Sequence, residues 1–346
     1  MKFRKIYIIF FVGLLIIGYF ALNRKKEPEQ GTEGTQRTEA TQAAIPPAPV
    51  PGFDSLKALA DVKTQVAFGT REPNSKGHSK EVDFLNKQLL ACTPSVELQT
   101  FTSPGYKPNE TLNLTNVIAS FNPSATYRIL IVTHFDSRPW ADEDPDTANR
   151  NKPIPAANDG GSGTAVMLEM ARQMKDHPPP IGVDLFFDDG EDYGKYSVDN
   201  LDRYFLGVKY FVNTKSANFN PRFAILLDMV GDKNALFQPE GYSIQSGQSF
   251  VNEVWNTATS LGLSHFKSTK GPQISDDHLP LIQAGIPSVD IIDGLLVGHE
   301  APEADRKYWH TLDDLPKHLS AETLGEVGRL LLTLIYDRIP RDIPSL

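Results

Sequence analysis

The sequence predicts one α/β domain with a mostly parallel, mixed central sheet that is flanked by helices on both faces. From residue 53 onward, short runs of β-branched and aromatic residues alternate with segments of helical periodicity, which is the rhythm of βαβ units. The segment 128–133 is an almost continuous apolar run, as expected of a central strand that is covered on both faces. Ligands of such sheets bind beyond the carboxyl ends of strands, so acidic and histidine residues at predicted strand ends are candidates for a functional site.

The predicted elements follow one another regularly along the chain. Leu56, Leu59, Val62 and Val66 lie on one face of a first amphipathic helix, and a second helix is predicted at 82–90. Strands are predicted at 96–101, 113–121, 128–133, 183–187, 223–227 and 288–292. Further helices are predicted at 162–175, 205–213, 250–261 and 322–336.

The composition predicts a globular chain without a nucleic-acid partner. The 346 residues are 40% hydrophobic, which allows a sizeable core in one large domain or two modest ones. Acidic residues outnumber basic ones by 43 to 34, the formal charge is −9, and no basic stripe is available for phosphates. The single cysteine, Cys92, cannot form an intramolecular disulfide and is expected to be a buried, small apolar residue. The chain is expected to act as a monomer.

The N-terminus predicts an uncleaved signal-anchor over residues 1–26, which would attach the protein to a membrane. An apolar run from Ile6 to Leu22 lies between basic residues, and as a helix it reaches roughly 25 Å, the lower limit for crossing a bilayer. The alternative is a cleaved signal peptide, which typically has small residues at the cut site followed by uncharged sequence. Residues 27–52, rich in Glu, Gln, Thr, Ala and Pro, predict a disordered linker. The folded domain at 53–346 is then expected in the periplasm or otherwise outside the cytoplasm.

Carboxylates stand beside glycines or directly after predicted strands. Asp159 lies in AANDGGSG before a helix, where glycines let the backbone approach a bound ion, although an N-cap is the ordinary role of such a residue. Glu191 and Asp192 follow the strand in VDLFFDD. They either form a solvated acidic loop or divide metal ligation and acid–base work between them, since burial can raise a Glu pKa towards neutrality. Asp228 ends the buried strand of LLDMVGD and needs a partner there.

Two histidines add imidazole ligands to this set. His134 is two residues from Asp136 in THFDSRPW, a common arrangement of a ligand and the carboxylate that orients it. His310 precedes Asp313 and Asp314, which could orient its second ring nitrogen in the same way. Carboxylates and imidazoles that folding brings together are what a hydrolytic zinc centre requires. Four other histidines are expected at the surface: His78, His177, His265 and His318.

The ordered series of motifs resembles the zinc-dependent exopeptidase family that contains bacterial aminopeptidases and animal-type glutaminyl cyclases. The likeness extends from about Phe53 to the C-terminus and implies a zinc-exopeptidase-like domain. Three stretches are similar to the cyclase branch in particular: HFDSR from His134, DDHLP from Asp276 and WHTLDD from Trp309. The resemblance implies a glutaminyl-peptide cyclotransferase, an acyltransferase that converts the N-terminal Gln of peptides and proteins into pyroglutamate and releases ammonia.

The resemblance also implies roles for individual residues. One zinc ion per chain would act as a Lewis acid and be held by Asp159, Asp192 and His310. Glu191 would be the general acid and base, and Asp276 would hold the departing amide group. The remaining residues are Asp228, which would share a hydrogen-bond network with Asp276, and the pocket walls Trp309 and Trp140.

Two other functions stay open. In a two-zinc aminopeptidase, which hydrolyses N-terminal residues, Asp159 would bridge the metals, and His134 and Asp228 would bind the second one. A non-catalytic binding module of the same fold is the third possibility. The sequence also departs from the animal cyclases, with the shorter Asp192 in place of Glu and Asp290 where the family commonly has a histidine. The sequence leaves the roles of three residues open: His134, His278 and Asp290.

Overall fold

Six strands form one mixed sheet in the computed structural model, which describes residues 45–195, 201–297 and 308–342. These residues belong to the unit Gln42–Leu346, and helices pack on both faces of the sheet. The predicted fold class is confirmed. The predicted signal-anchor lies outside the described residues. Within the described ranges, no helix combines the length and the apolar character that crossing a bilayer requires.

The elements alternate as the sequence predicts. The strands are β1 (Val96–Pro104), β2 (Thr111–Phe121), β3 (Arg128–His134), β4 (Gly182–Asp188), β5 (Ala224–Asp228) and β6 (Ser288–Ile292). The α-helices of the described ranges are α1 (Ser55–Ala67), α2 (Lys76–Leu90), α3 (Gly161–Asp176), α4 (Leu206–Thr214), α5 (Gly241–Ser260), α6 (His278–Gln283), α7 (Ala321–Thr333) and α8 (Ile339–Asp342). Every predicted element is present, α2 and α5 begin earlier than predicted, and the short helices α6 and α8 were not predicted.

The sheet order brings several strand ends to one edge. The order is β1-β2-β4-β3-β5-β6, in which β1 and β2 pair antiparallel, as do β2 and β4, and the other neighbours run parallel. In the parallel register, His134 at the end of β3 stands opposite Asp188 at the end of β4. Asp228 ends the next strand, β5. The carboxyl ends of three neighbouring strands therefore meet where ligands of such sheets bind.

β3 is buried on both faces because its alternate side chains enter different clusters. Ile129 and Ile131 pack in the main core, whereas Leu130 and Val132 pack in a smaller cluster with Phe211 of α4. None of the four β3 side chains has solvent-exposed area. The continuous apolar run in the sequence thus corresponds to a central strand that is covered on both sides.

Close packing holds the start of α3 beside the site edge of the sheet. A Cβ on Gly163 would lie 2.2 Å from Thr133 Oγ1 and 2.7 Å from the Leu227 carbonyl oxygen. Only glycine therefore lets α3 approach β3 and β5 this closely. The helix start is placed beside the two strand ends that carry His134 and Asp228.

Part of the predicted linker lies against the domain. Ile45 and Ala48 pack on the main core, and the Ala48 N–H donates to the Tyr336 carbonyl oxygen at 2.8 Å. Cys92 is half-buried and packs against the same core, so this thiol is a packing residue. The described chain thus contacts the domain before residue 53.

Candidate metal centre

Two clusters of metal-ligating side chains form where the strands end. The His134 cluster consists of His134, Asp159 and Asp228. The His310 cluster consists of Asp159, Asp192 and His310. Within each cluster the ligand atoms lie within 4.8 Å of one another. Because Asp159 belongs to both, the five residues form one continuous site, and all five are among the residues that the sequence predicts.

The two oxygens of Asp159 face different clusters. Oδ1 lies 3.2 Å from His134 Nε2, and Oδ2 lies 3.6 Å from His310 Nε2. Asp192 places its Oδ2 3.4 Å from the same nitrogen of His310. Asp159 Oδ2 and Asp192 Oδ2 are buried and have no hydrogen-bond partner among the described residues. Unpaired buried oxygens are costly, and two carboxylates with one imidazole are a donor set that zinc accepts, so the His310 cluster fits a zinc ion.

His134 lies among three carboxylates. Its Nε2 is 3.2 Å from Asp159 Oδ1 and 3.3 Å from Asp228 Oδ1. Its Nδ1 is 3.5 Å from Asp136 Oδ1, the neighbour that the sequence predicts. Burial lowers the pKa of His134, but hydrogen bonds to these carboxylates outweigh burial and raise that pKa well above its ordinary value. The His134 cluster is therefore chemically suited either to a proton on Nε2 or to a second cation.

Asp314 and Gly160 fix the turn that carries Asp159. Asp314 Oδ1 accepts the Asn158 N–H at 2.9 Å, and its Oδ2 accepts the Asp159 N–H at 3.1 Å. Gly160 has a φ of +83°, and a Cβ there would lie 2.9 Å from the Asp136 carbonyl oxygen. The turn therefore needs glycine both for its conformation and for its close approach to the loop after β3.

The carboxylate that faces the second ring nitrogen of His310 is not one of those predicted. Asp142 Oδ1 lies 3.5 Å from His310 Nδ1. Asp313 instead lies 3.0 Å from His318 Nε2, and Asp314 accepts backbone amides of the Asp159 turn. The prediction that Asp313 or Asp314 orients His310 is wrong, because neighbours in the sequence of a turn point in different directions in space.

Two further acids, Glu191 and Asp276, stand beside the clusters, next to Asp228 of the His134 cluster. The Glu191 N–H donates to Asp136 Oδ1 at 3.2 Å, and its side chain is half-buried. Burial and the neighbouring carboxylate of Asp192 raise the pKa of Glu191 well above its ordinary value. Burial, and after it the carboxylate of Asp228, raise the pKa of Asp276 to about 7. Carboxyl groups whose pKa is raised by burial and by neighbouring carboxylates are suited to acid–base catalysis.

A second group of buried polar residues lies near Asp276. His278 Nε2 lies 3.2 Å from Glu240 Oε2, and His278 Nδ1 lies 3.8 Å from Asp290 Oδ2. Glu240 also caps α5, since its carboxylate accepts the N–H groups of Tyr242 and Ser243. Sequence reasoning missed Glu240, for which an N-cap position before a helix was the only signal. His278 and Asp290, whose roles the sequence left open, are thus neighbours, and neither belongs to the two clusters.

Two histidines that were predicted at the surface are buried. His78 Nε2 lies 2.7 Å from Asp189 Oδ2, and the Thr115 N–H donates to the same oxygen at 2.6 Å. His318 stacks on Tyr308 with ring centroids 4.2 Å apart. The surface prediction is wrong for both residues. The partner of His78 lies 111 positions away along the chain, which a polar local sequence does not reveal. Tyr308 is only ten positions from His318, but the stacking of the two rings depends on how the intervening turn folds.

The two tryptophans predicted as pocket walls have different surroundings. Trp309 stacks on His310, with ring centroids 3.6 Å apart and ring planes at 22°, so it lies at the site itself. Trp140 is half-buried and packs against Tyr106 and Tyr193, with centroid distances of 5.6 and 5.9 Å. Its indole N–H also faces the Tyr193 carbonyl oxygen at 3.4 Å. Trp140 therefore belongs to an aromatic group with Tyr106 and Tyr193. Tyr193 directly follows Asp192 in the chain, so this group adjoins the site.

A mixed α/β sheet with histidine and carboxylate clusters at its strand ends is the architecture of zinc exopeptidase-like proteins. The chain belongs to peptidase family M28, whose sequence pattern matches residues 116–335. The family that the motifs predict is thereby confirmed.

Curated relatives come from both branches of the predicted family. Aminopeptidase YwaD of Bacillus subtilis is 30% identical over 222 residues, which is 62% of this chain but only 42% of the relative. The glutaminyl-peptide cyclotransferase of Bothrops jararaca is 23% identical over 307 residues, and the match covers 77% of each chain.

Solved structures match over nearly their whole length. A glutaminyl cyclase from Tannerella forsythia is 39% identical with a TM-score of 0.77, and the match covers 83% of this chain and 99% of that chain. A Zn-dependent exopeptidase from Parabacteroides distasonis is 38% identical with a TM-score of 0.78, and the match covers 84% of this chain and 100% of that chain. Family, neighbours and ligand clusters together point to zinc as the metal.

Proposed function

We propose that this protein is a glutaminyl-peptide cyclotransferase that acts on peptides and proteins with an N-terminal Gln. The observation that carries the proposal is the grouping of Glu191, Asp228 and Asp276 beside the His310 cluster. This grouping places acids with raised pKa values next to a candidate Lewis-acid site. The relatives and solved structures that are named glutaminyl cyclases support it, since they match most of this chain.

One zinc ion per chain is proposed in the His310 cluster, with Asp159, Asp192 and His310 as its ligands. The support is the pair of buried oxygens without hydrogen-bond partners, together with the nearby Nε2 of His310. When bound, zinc supplies Lewis acidity that polarises the γ-carbonyl oxygen of the substrate Gln.

Glu191 is proposed to move the proton of the reaction. The α-amine nitrogen bonds to the γ-carbonyl carbon, the bond from that carbon to the amide nitrogen breaks, and ammonia leaves. Glu191 accepts a proton from the amine and delivers it to the leaving nitrogen. A group that both takes and gives a proton needs a pKa near the working pH, and burial together with Asp192 raises that of Glu191.

Asp276, Asp228 and Trp309 are proposed to hold the substrate. Asp276 accepts a hydrogen bond from the departing amide nitrogen, and its neighbour Asp228 shares this network. In this arrangement His134 is a hydrogen-bond donor to Asp159 and Asp228 rather than a metal ligand. Trp309, stacked on the ring of His310, forms a wall of the pocket.

A two-zinc aminopeptidase is the second candidate function, and one observation favours it. The His134 cluster groups its ligand atoms as closely as the His310 cluster does, and the bridging Asp159 offers one oxygen to each. The match to an aminopeptidase also supports it. The two functions differ in their product, because cyclisation keeps the first residue whereas hydrolysis removes it.

The deciding experiment is incubation of the full chain and zinc with a peptide that begins with Gln, followed by mass analysis of the product. Loss of one ammonia is the expected result. The same peptide with an acetylated N-terminus is the matched control, since it lacks the attacking amine and should stay unchanged. Release of free glutamine would reject the cyclase and establish the aminopeptidase.

We also propose that residues 1–26 anchor the protein in a membrane with the catalytic domain outside the cytoplasm. The support is the apolar run between basic residues, followed by a linker-like segment. Protease added to spheroplasts should then digest the catalytic domain. Complete protection until the cells are lysed would contradict this location.

A further inference from the structure

Arg138 contacts the metal centre, and the proposed reaction gives it no role. Its side chain is 1% exposed. Nη1 donates to Asp192 Oδ1 and, at 3.2 Å, to the Asp192 carbonyl oxygen. Nε and Nη2 donate to the two carboxylate oxygens of Asp142 at 2.8 and 2.6 Å. One planar cation therefore joins two carboxylates that come from different loops.

Both of these carboxylates lie close to ring nitrogens of His310. Asp192 gives Oδ1 to Arg138, and its Oδ2 is the oxygen that lies 3.4 Å from His310 Nε2. Asp142 Oδ1 lies 3.5 Å from His310 Nδ1. A carboxylate at Nδ1 favours the tautomer with its proton on that nitrogen and leaves Nε2 free to bind a metal. Arg138 thus contacts, directly or through one residue, two of the three proposed zinc ligands.

We propose that Arg138 is a positioning residue of the zinc site, which fixes the orientation of Asp192 directly and that of His310 through Asp142. The inference rests on the proposed metal site of the His310 cluster, but it does not depend on which reaction follows. A guanidinium suits this task because its rigid, planar fork binds two carboxylates at once. A lysine ammonium keeps the charge but lacks the fork.

The sign of the effect on zinc affinity separates positioning from charge. A cation close to a metal ion repels it, so an Arg138 that acted through charge alone would weaken zinc binding, and its removal would strengthen it. Loss of a residue that orients metal ligands typically weakens affinity by about 10–100-fold. The two explanations therefore predict changes in opposite directions.

The test is the zinc affinity of the full chain, measured by competition with a fluorescent zinc chelator. Arg138→Gln and Arg138→Lys are each expected to bind zinc about 10–100-fold more weakly than the wild type. The matched control is Arg128→Lys, because Arg128 makes a similar two-bond contact with Asp184, at 2.9 and 2.7 Å, near the opposite end of β3 and β4. This control should keep wild-type affinity, and circular dichroism without zinc shows whether each variant is folded.

Two results would overturn the positioning role. One is wild-type affinity in Arg138→Lys, and the other is unchanged or tighter binding in Arg138→Gln. If Arg138→Gln does not fold, Arg138→Lys alone decides. A wild-type chain that takes up no zinc removes the proposed metal site and this inference together. A wild-type chain that binds zinc but does not cyclise Gln peptides removes the proposed function only, and the variant affinities still decide the role of Arg138.

Discussion

Glu191 and Asp192 are adjacent acids in different surroundings. Asp192 is buried, bound by Arg138 on one oxygen and close to His310 with the other. Glu191 is half-buried, and its backbone N–H donates to Asp136 Oδ1 at 3.2 Å. Glu191 and Asp192 are adjacent positions of a bend and turn, and their side chains have different surroundings, so the pair can place a metal ligand and an acid–base group side by side.

Glu191→Gln should abolish turnover and leave zinc binding intact. The amide keeps the size of the side chain but cannot carry a proton between two nitrogens, and acid–base catalysis contributes about 10²–10⁴-fold. We expect kcat to fall by that factor in the Gln-peptide assay, with metal content unchanged. Asp192→Asn, which changes the adjacent acid, serves as the comparison variant. It should lose zinc as well as turnover. Wild-type kcat in Glu191→Gln would remove Glu191 from the mechanism.

At the scale of secondary-structure elements, the side chain of Arg71 connects two loop segments by hydrogen bonds. Arg71 is fully buried, and its guanidinium donates to three backbone carbonyl oxygens, those of Phe135, Pro155 and Ala156. These carbonyls belong to the loop that follows His134 and to the turn before α3 that carries Asp159. Arg71 therefore connects the loop that follows His134 to the turn that carries Asp159.

Glu81 of α2 is buried near this guanidinium, and both its carboxylate oxygens lack a hydrogen-bond partner among the described residues. Burial raises the pKa of Glu81 from 4.5 to about 7, against the lowering effect of Arg71. The unfolded chain releases this proton above about pH 4.5, whereas the folded chain keeps it until about pH 7. Glu81 should therefore reduce the free energy of unfolding as the pH rises through this window.

Glu81→Gln should remove that pH dependence. Relative to the wild type, we expect the variant to gain about 3 kcal/mol in free energy of unfolding between about pH 4.5 and pH 8. Urea unfolding of both proteins at the two pH values measures it. Glu97→Gln on β1, an exposed position, is the control and should show little change at either pH. An equal difference between wild type and Glu81→Gln at both pH values would contradict the prediction.

For the molecule as a whole, local signals in the sequence predicted the sheet and the acids and histidine at its strand ends, whereas the resemblance of the motifs to a known family implied the two ligand sets. Strand ends are visible as apolar runs that stop at an acid or a histidine, and parallel strands bring such ends together. The partners of those residues were not predictable in this way. Asp142 faces His310 across 168 positions of sequence only because a loop folds back, and nothing in the DSRPWAD stretch indicates that contact.

The number of metal ions is the property of the whole site that separates the two candidate functions. We expect one tightly held zinc per chain, because His134 can satisfy Asp159 and Asp228 by hydrogen bonds. Zinc should also raise the unfolding temperature of the metal-free protein, since a ligand at about 1,000 times its Kd stabilises the folded state by about 4 kcal/mol. Elemental analysis after gel filtration gives the stoichiometry, and activity followed during zinc titration shows how many ions turnover needs.

His134→Asn is the informative variant, because a cyclase should keep its single zinc while a two-metal enzyme would lose one of two. A plateau of activity only at two zincs per chain would favour the aminopeptidase.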